Sequence, residues 1–387
     1  MEKPIIELRA LHRKAFPGES PVHFFSCPGR INLIGEHIDY NGGHVFPAAI
    51  DKKIYMAISH NDLGAIRLND VIFCARQDYA LSDFGKMKNV SKTWLYPYGA
   101  LSLMGVSGEQ GFDISYYNMI PSGAGVSSSA AITVVTLFAT ALMIGRSIPG
   151  ADLARMGQRV EKEFAGVSCG IMDQFAVIHG RKNEAMILDT RDLSYEYVTI
   201  DSQRVHFLLV NSGVKHSLRE SEYNTRRREC EDALALLQSA GAPIKHLCDL
   251  DVQGFDRFGG ILHGSLHKRA LHAVSENSRS IRFLNALKRG SLNEAGELLY
   301  ESHESLRTNF EVSIPELDTM VEWTRDIQGV YGARMMGGGF GGCSLNMVER
   351  DKVKGFTSEM KKRFEEAFGK RAEVFDCTID DGVKELT

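Results

Sequence analysis

No run in the 387-residue sequence approaches the roughly 20 consecutive apolar residues of a membrane span, so no transmembrane helix is expected. The cysteines lack any CxxC spacing. The seven, at positions 27, 74, 169, 230, 248, 343 and 377, are scattered and odd in number, which implies neither a disulfide framework nor a zinc site. Neither sign of charge dominates: a formal net charge of −4 gives no general attraction to nucleic acid or to an anionic membrane. Any anion site must therefore be local. The opening MEKPIIELRALHRKAF is charged and amphipathic and lacks the apolar core of a signal peptide, so the expected address is the cytoplasm. What is present is ordinary for a globular protein, with 43% hydrophobic and 24% charged residues. The length allows a large core and predicts two or three domains.

Glycine-rich segments carry most of the information. Pro121 to Ala131, PSGAGVSSSAA, follows a strand-like Phe112 to Ile120 and precedes Ile132 to Ile144, which reads as a buried helix. A loop between a strand and a helix N-terminus presents free backbone N–H groups and the positive end of the helix dipole, so it suits an anion such as a nucleotide phosphate. Gly123 and Gly125 allow close approach of the backbone, while Ser127, Ser128 and Ser129 add hydroxyls, one of which could ligate Mg²⁺. No lysine follows the glycines, which excludes a Walker loop. Ser128 stands at the third glycine of the Rossmann pattern, which argues against a dinucleotide oxidoreductase. The plain alternative is a helix capped by serines after a glycine turn.

Cys27 to Pro47, CPGRINLIGEHIDYNGGHVFP, packs Arg30, Glu36, His37 and Asp39 into ten positions and reads as a binding loop, too polar for a core element. A short helix fits around Leu33 to Asp39. His23 to Ser26 is expected as a short strand before it, with strand-like runs near His44 to Ile50 and Ile54 to Ser59 after it. Ile5 to Phe16 and Ala151 to Phe164 read as amphipathic helices, and Ala185 to Asp189, Glu196 to Ile200 and Val205 to Val210 as strands. The second half is mostly helical until Gly332 to Val348, where five glycines fall within six residues between apolar runs, predicting a strand, a loop and a further strand or helix. Lys352 to Phe368 and Ala372 to Cys377 then read as a helix and an edge strand.

Among the candidate side chains, Asp173 in CGIMDQF is either an N-cap or a carboxylate poised to accept a hydroxyl proton. Arg30 is a possible partner, but spacing alone cannot pair residues so far apart. Glu161 could ligate a metal or simply be solvated, Tyr223 could pack its ring inward, and Arg226 to Arg228 reads as a solvated face. His263, His267 and His272 mimic ligand spacing with no acid or thiol beside them.

Taken together, these segments resemble the galactokinase family of the GHMP kinase superfamily. GRINLIGEHIDYNGGHVFP is similar to that family's sugar-binding signature, PSGAGVSSSAA to its phosphate loop, CGIMDQF to its catalytic segment and ARMMGGGFGGCSLNMV to its third motif, all in order, with NSGVKHSLRESEY as a fifth block. The resemblance implies an α+β fold of two domains: residues 1–203 resembling domain 2 of ribosomal protein S5, and residues 204–387 forming a ferredoxin-like sandwich, with the active site in the cleft between them. It implies Glu36, His37, Asp39, Gly170, Asp173 and Tyr223 at the sugar, and Gly123, Ala124, Gly125, Val126, Ser127, Ser128 and Ser129 at ATP. It further implies Ser129 and Glu161 at Mg²⁺, Asp173 as the base and Arg30 as the transition-state stabiliser. The expected reaction is ATP-dependent phosphorylation of galactose at its 1-hydroxyl by a monomer, without nucleic acid or membrane partners.

Three departures bear on substrate preference. Met336 stands where the family often has Thr, Thr308 and Asn309 where two acids usually follow SLR, and Ile38 replaces a common Thr, as isoleucine also does in the related N-acetylgalactosamine kinases. The competing readings are a kinase of the same superfamily for another sugar, and a protein that senses galactose and ATP without turnover. The loop serines, Asp173, Arg30 and Glu161 are all present, which favours the enzyme.

Overall fold

The computed structural model describes residues 3–84, 86, 90–106, 111–214 and 219–386. The strand His23–Asn32 lies second in a six-stranded sheet and is buried along nine of its ten positions. Its long neighbour, Pro47–Asn61, is followed across the sheet by Gly111–Asn118, Ala65–Asp70 and Ala75–Ala80. On its other side it pairs with Lys384–Leu386 from the far end of the chain. All neighbours run antiparallel except Ala65–Asp70 with Gly111–Asn118, which are parallel.

A register shift between Pro28 and Arg30 bends the first strand. Proline has no N–H to give a ladder, so a bulge is where a central strand tolerates it. Gly29 sits at the same bend, and a Cβ there would come within 2.6 Å of the Val126 carbonyl oxygen. The bend thus lets the strand touch the loop that opens the helix Ser128–Met143. That helix is rich in Thr and Val, which are mediocre helix formers, and it is held by burial more than by propensity. It crosses the sheet among the helices Leu95–Met104, Gly150–Glu163 and Met172–His179. On the opposite face the helix Lys3–Ala15 covers Phe24, Tyr55 and Ala57 with Ile5 and Leu8.

The second sheet is wholly antiparallel, in the order Val330–Met335, Cys343–Glu349, Val205–Asn211, Glu373–Cys377. Numbered along the chain this is 4-1-3-2 from the last strand, the ferredoxin-like order, with Glu373–Cys377 at the expected edge. The long helices Arg219–Ser239, Gly264–Lys288 and Leu292–Ser305 fall within its first crossover. A third, small sheet joins His44–Val45 to Glu184–Asp189 and Tyr195–Thr199. Sheets and helices are segregated, as an α+β fold requires.

Several local expectations are corrected. Cys27 to Asn32 continues the first strand instead of opening a loop, and residues 33–43 are turns with no helix around Leu33 to Asp39. The stretch is also core, against its polarity. The reason is a buried cation: Arg334 donates to the carbonyl oxygens of Leu33, at 2.7 Å, and Asn32. Asn32 in turn accepts from the Phe46 N–H at 3.2 Å. Buried polar groups that are satisfied in this way cost little. Likewise Pro47–Asn61 is one strand of 15 residues where two were expected.

Candidate active site

A cavity of about 560 Å³ opens where the first strand, the glycine-serine loop and the helix Met172–His179 meet Tyr223, Asn224, Gly337 and Gly338 of the second half. Every residue named in advance for sugar, nucleotide, metal or chemistry lines it except Ala124, which is buried.

At its centre Arg30 Nε and Nη2 both reach Asp173 Oδ1, each at 2.8 Å, while Nη1 donates to the Gly125 carbonyl at 2.7 Å. The Arg30 backbone N–H donates to the Val126 carbonyl at 3.2 Å. Burial works against the Arg30 cation, yet Asp173 and then Glu36 outweigh it and hold its pKa above the ordinary value. Ser127 donates its hydroxyl to the other carboxylate oxygen, Asp173 Oδ2, at 2.5 Å. Neither Asp173 nor Ser127 therefore spends its side chain on capping a helix: the position before Met172–His179 is Ile171, and Ser127 makes no cap hydrogen bond.

The sugar signature sits deeper. Glu36 accepts from the Gly337 N–H at 2.7 Å and pairs with Arg334 at 3.1 Å. Burial pushes its pKa up, but Arg334 and Arg30 overcome that and leave it lowered. His37, at a positive φ of 62°, shares a 2.9 Å hydrogen bond between its Nδ1 and the Tyr40 hydroxyl. Burial lowers its pKa to about 3, so the ring is neutral. Its Nε2 is buried beside Gly338. Asp39 is pushed up to about 7, first by burial and then by Asp173 and Glu36. It occupies the space a side chain at position 170 would need, since a Cβ on Gly170 would lie 1.8 Å from Asp39 Oδ2. The Tyr223 ring lies 5.5 Å from His37 and 5.9 Å from Tyr40.

Glu161 is buried, not solvated, and accepts from Gln174 Nε2 at 2.9 Å. Burial, then Asp173, raises its pKa to about 7, while a hydrogen bond from Ser129 opposes the rise. Among the described residues no group of three or more His, Cys, Asp or Glu is set to hold a metal ion. Of the spaced histidines, His272 is buried between Ser305 Oγ, at 2.9 Å, and the Glu36 carbonyl, at 3.1 Å. Arg226 and Arg227 are not a solvated face, because they donate to the carbonyls of Phe310 and Ser168.

The departures lie outside the cavity lining. Ile38 and Met336 are fully buried, and Thr308 and Asn309 bond within their own turn, to the Glu304 carbonyl and Ser305 Oγ. Of the fifth block, residues 215–218 lie outside the described residues. Sequence reasoning missed Arg334, Glu276 and Gln174, and weighed His272 only for ligand spacing; all four hold the site from behind. It also missed Asp70, Phe73, Trp94 and Tyr96 at the far side of the cavity. The aromatic run WLYPY was the available signal for the last two.

Comparison with known proteins gives the family of the chain. Residues 10–60 match the model of the galactokinase galactose-binding signature, 95–181 that of the GHMP kinase N-terminal domain and 283–366 that of the GHMP kinase C-terminal domain. Galactokinase of Bacillus subtilis is 37% identical over 98% of each chain, and that of Enterococcus faecalis 39% identical over 95% of this chain and 96% of its own. The chain belongs to the galactokinase family. A solved structure of Lactococcus lactis galactokinase complexed with galactose superposes with a TM-score of 0.94, at 33% identity, over 99% of this chain and all of that one. A mevalonate kinase structure, 20% identical with a TM-score of 0.67 over 92% of this chain and 99% of that one, shares the fold. The two-part α+β architecture of this galactokinase-family chain is thus that of the GHMP kinases.

Proposed function

We propose that this galactokinase-family chain transfers the γ-phosphoryl group of ATP to the anomeric 1-hydroxyl of α-D-galactose, giving galactose 1-phosphate and ADP. The observation that carries the reading is the Arg30–Asp173 pair, set between the glycine-serine loop and the sugar signature in one cavity. A sugar hydroxyl is a weak nucleophile with a very high pKa. Asp173 orients it and takes its proton as the new O–P bond forms and the bond from Pγ to the bridging oxygen breaks in line, releasing ADP. Arg30 stabilises the charge on the phosphoryl group in transit and, through its two contacts to Asp173 Oδ1, holds that carboxyl in place. No covalent intermediate is needed.

Glu36, His37, Asp39, Gly170 and Tyr223, with Asp173, hold the sugar. His37, kept neutral by burial, and Asp39, whose pKa burial raises to about 7, supply both donors and acceptors for hydroxyls. Residues Gly123 to Ser129 cradle the phosphates through backbone N–H groups at the start of the helix Ser128–Met143. The site also fits Mg²⁺: Glu161 is a buried carboxylate without a cation, and Ser129 hydrogen-bonds it. Ser129 and Glu161 would hold the ion, which would supply neutralisation of phosphate charge. The reading divides the chain into residues 1–203 and 204–387, with residues 384–386 returning to the first sheet. It describes a cytoplasmic monomer acting on small soluble substrates, without nucleic acid or membrane; no helix among the described residues is long and apolar enough to cross a membrane.

The test is ADP release from ATP and Mg²⁺ with galactose, N-acetylgalactosamine, glucose, arabinose and mevalonate. Turnover with galactose well above the others is expected. Preference for another acceptor would transfer the reading to that substrate, and silence with all five while galactose and ATP still bound would replace the enzyme with a sensor.

A further inference from the structure

Ser127 belongs by position to the phosphate loop, but its side chain does something else. It sits at φ 59° and ψ 47°, left-handed backbone that a non-glycine residue adopts only when its surroundings hold it there. It occupies the N-cap position of the helix Ser128–Met143 yet makes no cap hydrogen bond. A serine in that position ordinarily folds its hydroxyl back onto the helix. Here the hydroxyl points away and donates to Asp173 Oδ2 at 2.5 Å. Oδ1 is already held by Arg30, whose Nη1 reaches back to the Gly125 carbonyl two residues before Ser127. Loop and carboxylate are tied together on both sides.

We propose that Ser127 is a positioning residue for the base, its hydroxyl fixing the orientation of the Asp173 carboxylate so that the loop holding the nucleotide also aims the group that deprotonates the acceptor. This rests on the reading of Asp173 as base given above. With both oxygens pinned the carboxylate cannot pivot, and its remaining lone pairs stay directed at the cavity it lines. Without Ser127, Arg30 is the side chain left holding it among the described residues, and the carboxylate turns about that contact. The consequence is in the chemical step, because near-attack geometry is lost while the groups that bind sugar and phosphates remain. If the hydroxyl instead served the nucleotide phosphates, its loss would weaken ATP binding.

The experiment measures kcat and both KM values for the full chain and its Ser127→Ala and Ser127→Gly variants, with galactose binding followed by calorimetry. Glycine accepts the positive φ without strain, so a loss shared by both variants belongs to the hydroxyl and not to the backbone. We expect kcat to fall about ten- to a hundredfold in both, the size of one hydrogen bond to a charged group. Both KM values and galactose affinity are expected to stay within about twofold. A raised KM for ATP with kcat unchanged would assign the hydroxyl to the nucleotide and overturn the proposal, as would kinetics indistinguishable from the parent chain. A parent chain that turns over no galactose would overturn the functional reading itself, and is told apart because it fails before any substitution.

Discussion

At the scale of single residues, the site depends on close approaches that only particular side chains permit. Arg30 spans two partners with one planar fork, the Asp173 carboxylate and the Gly125 carbonyl, which a lysine ammonium could not do in the same geometry. Gly170 is required for a different reason. Its backbone does not demand glycine, but the space beside it belongs to Asp39, whose Oδ2 would lie 1.8 Å from a new Cβ. Gly170→Ala should push the Asp39 carboxyl from its seat and raise the KM for galactose by about tenfold, the cost of one impaired polar contact, with a smaller change in kcat. Steady-state kinetics over a range of galactose check this; an unchanged KM would mean that Asp39 does not read the sugar from its observed position.

At the scale of elements, the parts that hold the site from behind are the parts the sequence hid. The strand, loop and helix from Gly111 to Met143 were legible because periodicity and glycine placement are local signals. The helix Gly264–Lys288 was legible only as part of a mostly helical second half, and not as a support. Its Glu276 accepts from the Gly35 N–H at 3.0 Å, and its His272 meets the Glu36 carbonyl, contacts between residues 241 and 236 positions apart. No pattern in the chain encodes such pairings. The same holds for Ser127, whose hydroxyl meets Asp173 Oδ2, 46 positions along the chain. The helix Lys3–Ala15 carries a comparable buried polar residue, His12, hydrogen-bonded to Ser115 Oγ at 2.9 Å and Ser59 Oγ at 3.1 Å. Burial lowers its pKa from 6.5 to about 4. Between those values the unfolded chain binds a proton that the folded chain refuses, so the contribution is intact above pH 6.5 and is lost as pH falls toward 4. His12→Gln has no such proton. The parent chain should therefore lose stability relative to this variant by about 1.4 kcal/mol per pH unit below 6.5, a comparison in which Asp39 and Glu161 cancel. Urea midpoints of both proteins at pH 7 and pH 5 measure it, and a difference independent of pH would contradict it.

At the scale of the whole molecule, two sheets of different topology meet around one cavity, and the end of the chain pairs with the strand that carries Arg30. The architecture was legible from the order of four motifs, since each glycine-rich segment is unremarkable alone and the set is not. Spacing alone could not bring those segments onto one centre, where Arg30 meets Asp173; that expectation came from the resemblance of the whole set. The central claim is that Asp173 performs the proton transfer while others bind the substrates. The most direct measurement compares the parent chain with Asp173→Ala in galactose affinity, by calorimetry, and in ADP release with ATP and Mg²⁺. The account predicts a folded variant that still binds galactose and has lost turnover by about a hundredfold or more, the range of general base catalysis. Near-parental turnover in that folded variant would contradict it.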